Sequence, residues 1–204
     1  MRPPKSFSLA ASIWSQLCRG HPEPCPAWLS WVLDNPYTRT LAGSQTLLDR
    51  VELGPGMRLL DAGCGPGRVT IAAAKRVGPQ GLVAALDIQP DMLKKLKARA
   101  ELAGLTNIRP ILGGLGSGLL EPDFFDCALL VTVLGEIPDK EAALREIHRS
   151  LKPGGVLSIT EFLPDPHYQR ETKVRRLATG VGLRFKARHG FWFAFTINFE
   201  KPIS

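Results

Sequence analysis

With 204 residues, 44% of them apolar and 22% charged, the chain is sized for one domain with a substantial core, or one domain plus a small cap, and its composition excludes general disorder. No apolar run reaches the roughly 18 residues that a membrane-spanning helix requires. The formal net charge of +7 is uneven, since residues 165–204 hold eight basic side chains against three acidic ones, and such an excess fits either a solvated basic face or one that attracts nucleic acid, anionic lipid or an acidic substrate.

Residues 1–45 differ from the rest. HPEPCPAW, residues 21–28, carries three prolines and is extended or turning, while Trp14, Trp28 and Trp31 fall on either side of it. The pattern predicts short amphipathic helices around a proline-rich joint: a cap over one edge of the core, or a lid or membrane-touching segment over a substrate site. Arg2, Lys5 and Arg19 precede the first acid, Glu23, as in a transit peptide, but the apolar stretch there is short and broken.

Residues 46–204 alternate short apolar runs with helical stretches. MRLLDAG is a strand, Arg68 to Val77 a helix, LVAALD a strand, and Asp91 to Ala103 a helix. NIRPIL and FDCALLVTVL follow as strands, LREIHRSL lies in a helix started by Pro138-Asp139, and GGVLSITEF is the fifth strand. Strands separated by helices predict right-handed crossovers and a parallel sheet covered on both faces. GLRFKARHG and FWFAFTINF then break the rhythm; a short turn at His189-Gly190 would pair them antiparallel. The expectation is an α/β, Rossmann-like, doubly wound and mostly parallel seven-stranded sheet ending in an antiparallel hairpin. Cys18, Cys25, Cys64 and Cys127 show neither C-x-x-C spacing nor a histidine at metal-ligand distance, so no metal site is expected, and Cys64 and Cys127 suit buried thiols in a reducing compartment.

DAGCGPGRVT, residues 61–70, sets a glycine-rich turn between the first strand and its helix. Backbone N–H groups and a helix N-terminus there can approach a ligand closely, because glycine lacks the Cβ that would block both turn and ligand. A triphosphate loop needs a lysine after its last glycine, and Arg68 stands there. The spacing G-x-G-x-G of Gly63, Gly65 and Gly67 also departs from the dinucleotide pattern G-x-G-x-x-G. Asp87 ends the second strand 20 residues beyond Gly67, where a carboxylate can accept both hydroxyls of an adenosine ribose, in a dinucleotide or in S-adenosylmethionine.

RLLDAGCGPGRVT, ALDIQPDML, and FDCALLVTVLGEIPD followed by ALREIHRSLKPGGVLSITE together resemble class I S-adenosylmethionine-dependent methyltransferases over about residues 45–200, with the small enzymes acting on quinone precursors, lipids or other small molecules nearest in pattern. The resemblance implies that Asp61 helps hold the amino group of the methionine part, with Gly63, Cys64 and Gly65 beneath it. It implies Asp87 at the ribose, with Ile88 and Met92 against the adenine. The family's acid after the third strand is replaced by Gly114 within GGLGSG, residues 113–118; Leu115 can still pack on the ring, and the polar contact is either lost or made by backbone groups or Ser117. That loop is expected to be loosely held until a ligand binds. Thr132 and Leu134 would contact the cofactor, and Glu136 faces the acceptor or the surface. KPGG, residues 152–155, is a structural turn.

DPHY, residues 165–168, follows the fifth strand and not the fourth, so it is not the base-gripping motif it imitates. The carboxyl end of a parallel strand still borders the ligand crevice, which makes Glu161, His167 and Tyr168 candidates for acceptor contact or proton removal. The implied reaction is direct in-line displacement onto a small-molecule or lipid acceptor, yielding S-adenosylhomocysteine; it needs alignment and water exclusion more than a catalytic triad. The cap, the Lys94, Lys95, Lys97 and Arg99 helix face and the basic C-terminal region fit peripheral membrane contact of an otherwise cytoplasmic protein. Nucleic acid is disfavoured as a partner, because FWFAFTINF alternates like a sheet strand and not like a stacking platform. A dinucleotide-dependent oxidoreductase and a non-catalytic binding module are the alternatives.

Overall fold

A computed structural model describes residues 43–163 and 165–203. Runs that are apolar on consecutive positions become strands buried on both faces, as a parallel sheet requires. They are β1 (Arg58–Ala62), β2 (Leu82–Asp87), β4 (Phe125–Val131) and β5 (Leu151–Phe162), whereas β3 (Ile108–Leu112) is a half-exposed edge strand, and β6 (Arg184–Phe191) and β7 (Ala194–Glu200) follow. Among the described residues five helices join them: α1 (Ser44–Arg50), α2 (Arg68–Val77), α3 (Pro90–Leu102), α4 (Lys140–Ser150) and α5 (Glu171–Gly180). The strand order is β3-β2-β1-β4-β5-β7-β6, parallel through the first five and antiparallel where β7 inserts between β5 and β6.

Alternate side chains of each central strand feed opposite cores. Leu60, Ala84, Ala128, Leu130, Leu157 and Ile159 pack with Leu144 and Ile147 of α4 and Val174 and Ala178 of α5. Leu59, Val83, Cys127 and Leu129 pack with Leu47 and Leu48 of α1 and Val69, Ala73 and Val77 of α2. The sheet is thus doubly wound, with its order reversing between β1 and β4, where the carboxyl ends of the strands open a crevice.

Several boundaries differ from the sequence expectation. The hairpin turns at Trp192-Phe193, since Phe191 already pairs with Ala194. Gly190 lies inside β6 at φ 85°, where a Cβ would overlap the Ala194 carbonyl; it marks close backbone approach and not the turn. α5 occupies a stretch to which the sequence assigned no element. β4 stops at Val131, because Thr132 at φ 57° turns the chain out of the sheet. KPGG bulges within β5: Leu151 pairs with Phe125 and Val156 with Cys127.

The expected 45/46 boundary falls inside α1, and of the expected cap at 1–45, residues 1–42 lie outside the described residues. α1 is tied to the body at several points. Ser44 Oγ donates to the Arg68 carbonyl at 3.1 Å, Arg50 Nη1 to Thr196 Oγ1 at 2.5 Å, and Asn198 Nδ2 to the Arg50 carbonyl at 2.5 Å.

Candidate functional site

Asp61, at the end of β1, is buried and accepts a 2.6 Å hydrogen bond from Thr70 Oγ1 on α2. Burial pushes its carboxyl up to about 6 against the pull of Thr70 and nearby Arg68. Beyond it, the N–H groups of Gly63 and Cys64 both donate to the Leu86 carbonyl, at 2.8 and 3.1 Å, so the turn is anchored to β2.

The three glycines of this turn have positive φ for different reasons. A Cβ on Gly63 (φ 72°) would overlap Val133, and one on Gly67 (φ 88°) would overlap Leu96 of α3. A Cβ on Gly65 (φ 53°) would meet nothing within 4 Å. Gly63 and Gly67 therefore let elements pack, while Gly65 presents bare backbone to open space.

Asp87, also buried, bridges the two strand ends: Oδ2 accepts from Gly65 N at 2.8 Å and Oδ1 from Gln89 N at 2.9 Å. Burial raises its pKa, and those amide bonds oppose the rise. Ile88 beside it is 51% exposed, whereas Met92 is 3% exposed. After β3, the direct neighbour of β2, Gly114 would bring a Cβ within 3.6 Å of Ile88 Cγ2, and Leu115 is half-buried against the core.

The loop at 113–118 is bonded to the body at Gly113 and Gly116. Gly113 N donates to the Asp87 carbonyl at 3.0 Å, and the buried Glu146 of α4 accepts from Gly116 N at 2.5 Å and Leu120 N at 2.9 Å. Nothing in the sequence marked Glu146, because its partners lie about 30 residues away.

After β4, Thr132 N donates to the Thr160 carbonyl at 2.8 Å; a β-branched residue at φ 57° is an outlier of the kind found at ligand sites. Leu134 is fully buried in the core, while Thr132, Val133 and Glu136 are half-buried. Val133, facing Gly63, is a site neighbour that only the fold brings into view. Gly135 packs so tightly on the next loop that a Cβ would overlap the His167 carbonyl.

Glu161 near the end of β5 is 1% exposed. Its Oε2 accepts from Gln169 N at 3.0 Å, and burial pushes the carboxyl up to about 8, with Asp165 and Glu136 adding to the rise. Asp165 Oδ1 accepts from His167 N at 2.7 Å. The Tyr168 hydroxyl donates to the Trp192 carbonyl at 2.9 Å, so it braces the hairpin tip. Gln169 had no sequence signal of its own.

Cys64 and Cys127 are buried free thiols. Burial raises both, that of Cys127 up to about 12, which suits inert packing. Among the described residues no group of His, Cys, Asp and Glu is arranged to hold a metal ion, and no helix is long and apolar enough to cross a membrane. Among the described residues, five of the eight C-terminal basic side chains have acidic partners, but only one of these acids lies outside that segment: Arg175 and Arg188 meet Glu171, Arg184 and Lys186 meet Glu200, and Lys201 meets Asp123.

Residues 53–180 match a family model described as a methyltransferase domain. Demethylmenaquinone methyltransferase of Geobacillus stearothermophilus is 33% identical over 120 residues, covering 59% of this chain and 51% of that protein. Nocamycin O-methyltransferase of Saccharothrix syringae is 35% identical over 123 residues, covering 60% of this chain and 44% of that protein. The chain spans about half the length of these curated relatives. Among solved structures, a SAM-dependent methyltransferase from Aquifex aeolicus superposes with a TM-score of 0.79 at 22% identity, over 87% of this chain and 99% of that one, a likeness of fold.

Proposed function

Because this chain belongs to the methyltransferase-domain family, we propose that it moves a methyl group from S-adenosylmethionine to a small-molecule acceptor, with S-adenosylhomocysteine as the other product. The observation that carries the reading is the crevice between β1 and β4, where Gly65 offers bare backbone to open space beside the buried carboxylate of Asp87. A nucleoside with two ribose hydroxyls and a flat base suits that combination. Neither relative's printed name favours the oxidoreductase or binding-module alternatives.

In this reading Asp87 holds the ribose, and Asp61, with Gly63, Cys64 and Gly65, holds the methionine end. Ile88 and Leu115 supply apolar surface for the adenine, Met92 backs them from the core, and the Gly114 loop offers backbone groups. Thr132 closes the site beside the acceptor, with Leu134 anchoring its loop. The cofactor supplies a methyl group on an already activated, positively charged sulfur, so these residues have only to align the reactants and exclude water.

Thermal unfolding with S-adenosylmethionine, S-adenosylhomocysteine and NAD tests the reading, since a ligand at 100 times its Kd stabilises by about 2.7 kcal/mol. Stabilisation by the first two supports it; stabilisation by NAD alone overturns it.

A lipid acceptor, or a cytoplasmic enzyme resting on a membrane, finds support in the hairpin tip. Phe191 and Trp192 are 61% and 72% exposed there, next to exposed Leu163, and paired apolar and basic features favour anionic bilayers. Liposome sedimentation of wild type and Trp192→Ala checks this; equal binding by both removes the tip from consideration.

A further inference from the structure

Three buried polar atoms have no hydrogen-bond partner among the described residues although they share one nine-residue span: Oε1 of Glu161, Nε2 of His167 and Oε1 of Gln169. The span folds back on itself. Gln169 N donates to Glu161 Oε2 at 3.0 Å, Gln169 Nε2 to the His167 carbonyl at 2.6 Å, and His167 N to Asp165 Oδ1 at 2.7 Å. The rest of the segment is thus well bonded, and orphaned buried atoms of this kind call for a specific explanation, of which a ligand is one.

Its position points to the acceptor. Thr132 N bonds the carbonyl of Thr160, the residue before Glu161, and Gly135 packs directly on the His167 carbonyl. The segment that carries the orphans therefore borders the loop that leaves β4 at the crevice. The charged and titratable groups around Glu161 are Glu136 and Lys140 on the β4 side, Asp165, His167 and Tyr168 on its own segment, and Arg50 of α1, which lines a small cavity with it; β7 contributes apolar Phe195. With Glu161 ionised, its Oε1 and the Gln169 amide oxygen can only accept, so the partner these two lack is a donor, while His167 Nε2 can take either role.

Resting on the methyltransferase reading, we infer that Glu161 takes the proton of an acceptor hydroxyl, with His167 and Gln169 bonding the same acceptor, which is a phenol or hydroquinone. The acceptor O–H bond breaks, its proton goes to Glu161 Oε1, and its electron pair stays on the oxygen. That pair forms the new bond to the methyl carbon as the S–C pair remains on sulfur; the proton leaves to water with the product. A carboxyl that burial raises to about 8 is a base matched to a hydroxyl of phenolic acidity.

The test uses the full chain with saturating S-adenosylhomocysteine and 2-naphthol, whose neutral and ionised forms absorb and emit separately. Wild type is expected to raise the ionised fraction of bound naphthol, and Glu161→Gln, which still offers Gln169 N an acceptor, to abolish that signal while keeping wild-type stabilisation by S-adenosylhomocysteine. With S-adenosylmethionine and 2-naphthol, catechol or hydroquinone, kcat is expected to fall about 100-fold in the variant with little change in KM. The wild-type rate should rise through about pH 8 and the variant's should be flat. A wild-type rate that is flat in that range, no ionisation or methylation of any hydroxylated probe by protein that S-adenosylhomocysteine stabilises, or a variant with the wild-type profile overturns this inference alone. Failure of S-adenosylhomocysteine to stabilise wild type overturns the methyltransferase reading beneath it.

Discussion

Asp61→Asn should make the protein more stable at neutral pH while weakening its cofactor site. The folded carboxyl keeps its proton to about 6, against 3.8 for the ordinary group. Between those values the native state binds more protons than the unfolded one, so wild-type stability falls as pH rises through them. A shift of about 2 units corresponds to about 3 kcal/mol lost by pH 7. Asn has no charge to bury, and its side-chain oxygen can still accept from Thr70. Urea unfolding of both proteins at pH 4 and pH 7 isolates the effect, because fixed consequences of the amide cancel in the difference. The advantage of Asn over Asp should grow by about 2–3 kcal/mol between the two pH values, as calorimetry at pH 7 finds S-adenosylhomocysteine binding weakened. An advantage that does not change with pH would refute the reasoning.

Three further substitutions separate packing from ligand contact. Gly67→Ala meets Leu96 at a positive φ and should destabilise by about 2–4 kcal/mol in the same urea assay. Gly65→Ala enters open space; its stability loss should be about 1 kcal/mol, while S-adenosylhomocysteine affinity, measured by calorimetry, falls at least about tenfold. Glu146→Gln can accept only one of the two amide bonds at Gly116 and Leu120, so hydrogen exchange at those amides should accelerate, with a stability loss of about 1–3 kcal/mol.

What the sequence disclosed follows from the range over which its signals act. β1, β2, β4 and β5 were legible because each is a buried apolar run bounded by glycine or an acid, and Asp61, Asp87 and the glycine turn because they sit at strand ends. α5 was not, since Val174, Leu177 and Ala178 form a narrow apolar stripe among charges. Gly190 misled because a glycine that permits cross-strand approach looks, in one dimension, like a turn. The uses of Thr70, Val133, Glu146 and Gln169 depend on contacts that only tertiary structure creates.

The placement of β7 between β5 and β6 sets an order of events during synthesis. β5 is complete at residue 162, yet its outer edge has no permanent neighbour until residues 194–200 leave the ribosome. β6 emerges first and must not occupy that edge. Throughout this interval the nascent chain displays an open apolar strand of the type that recruits chaperones or aggregates, and Arg50 cannot reach Thr196 and Asn198 to latch α1 down. How soon residues 194–200 reach that edge is therefore a determinant of folding yield, separate from the stability of the finished fold.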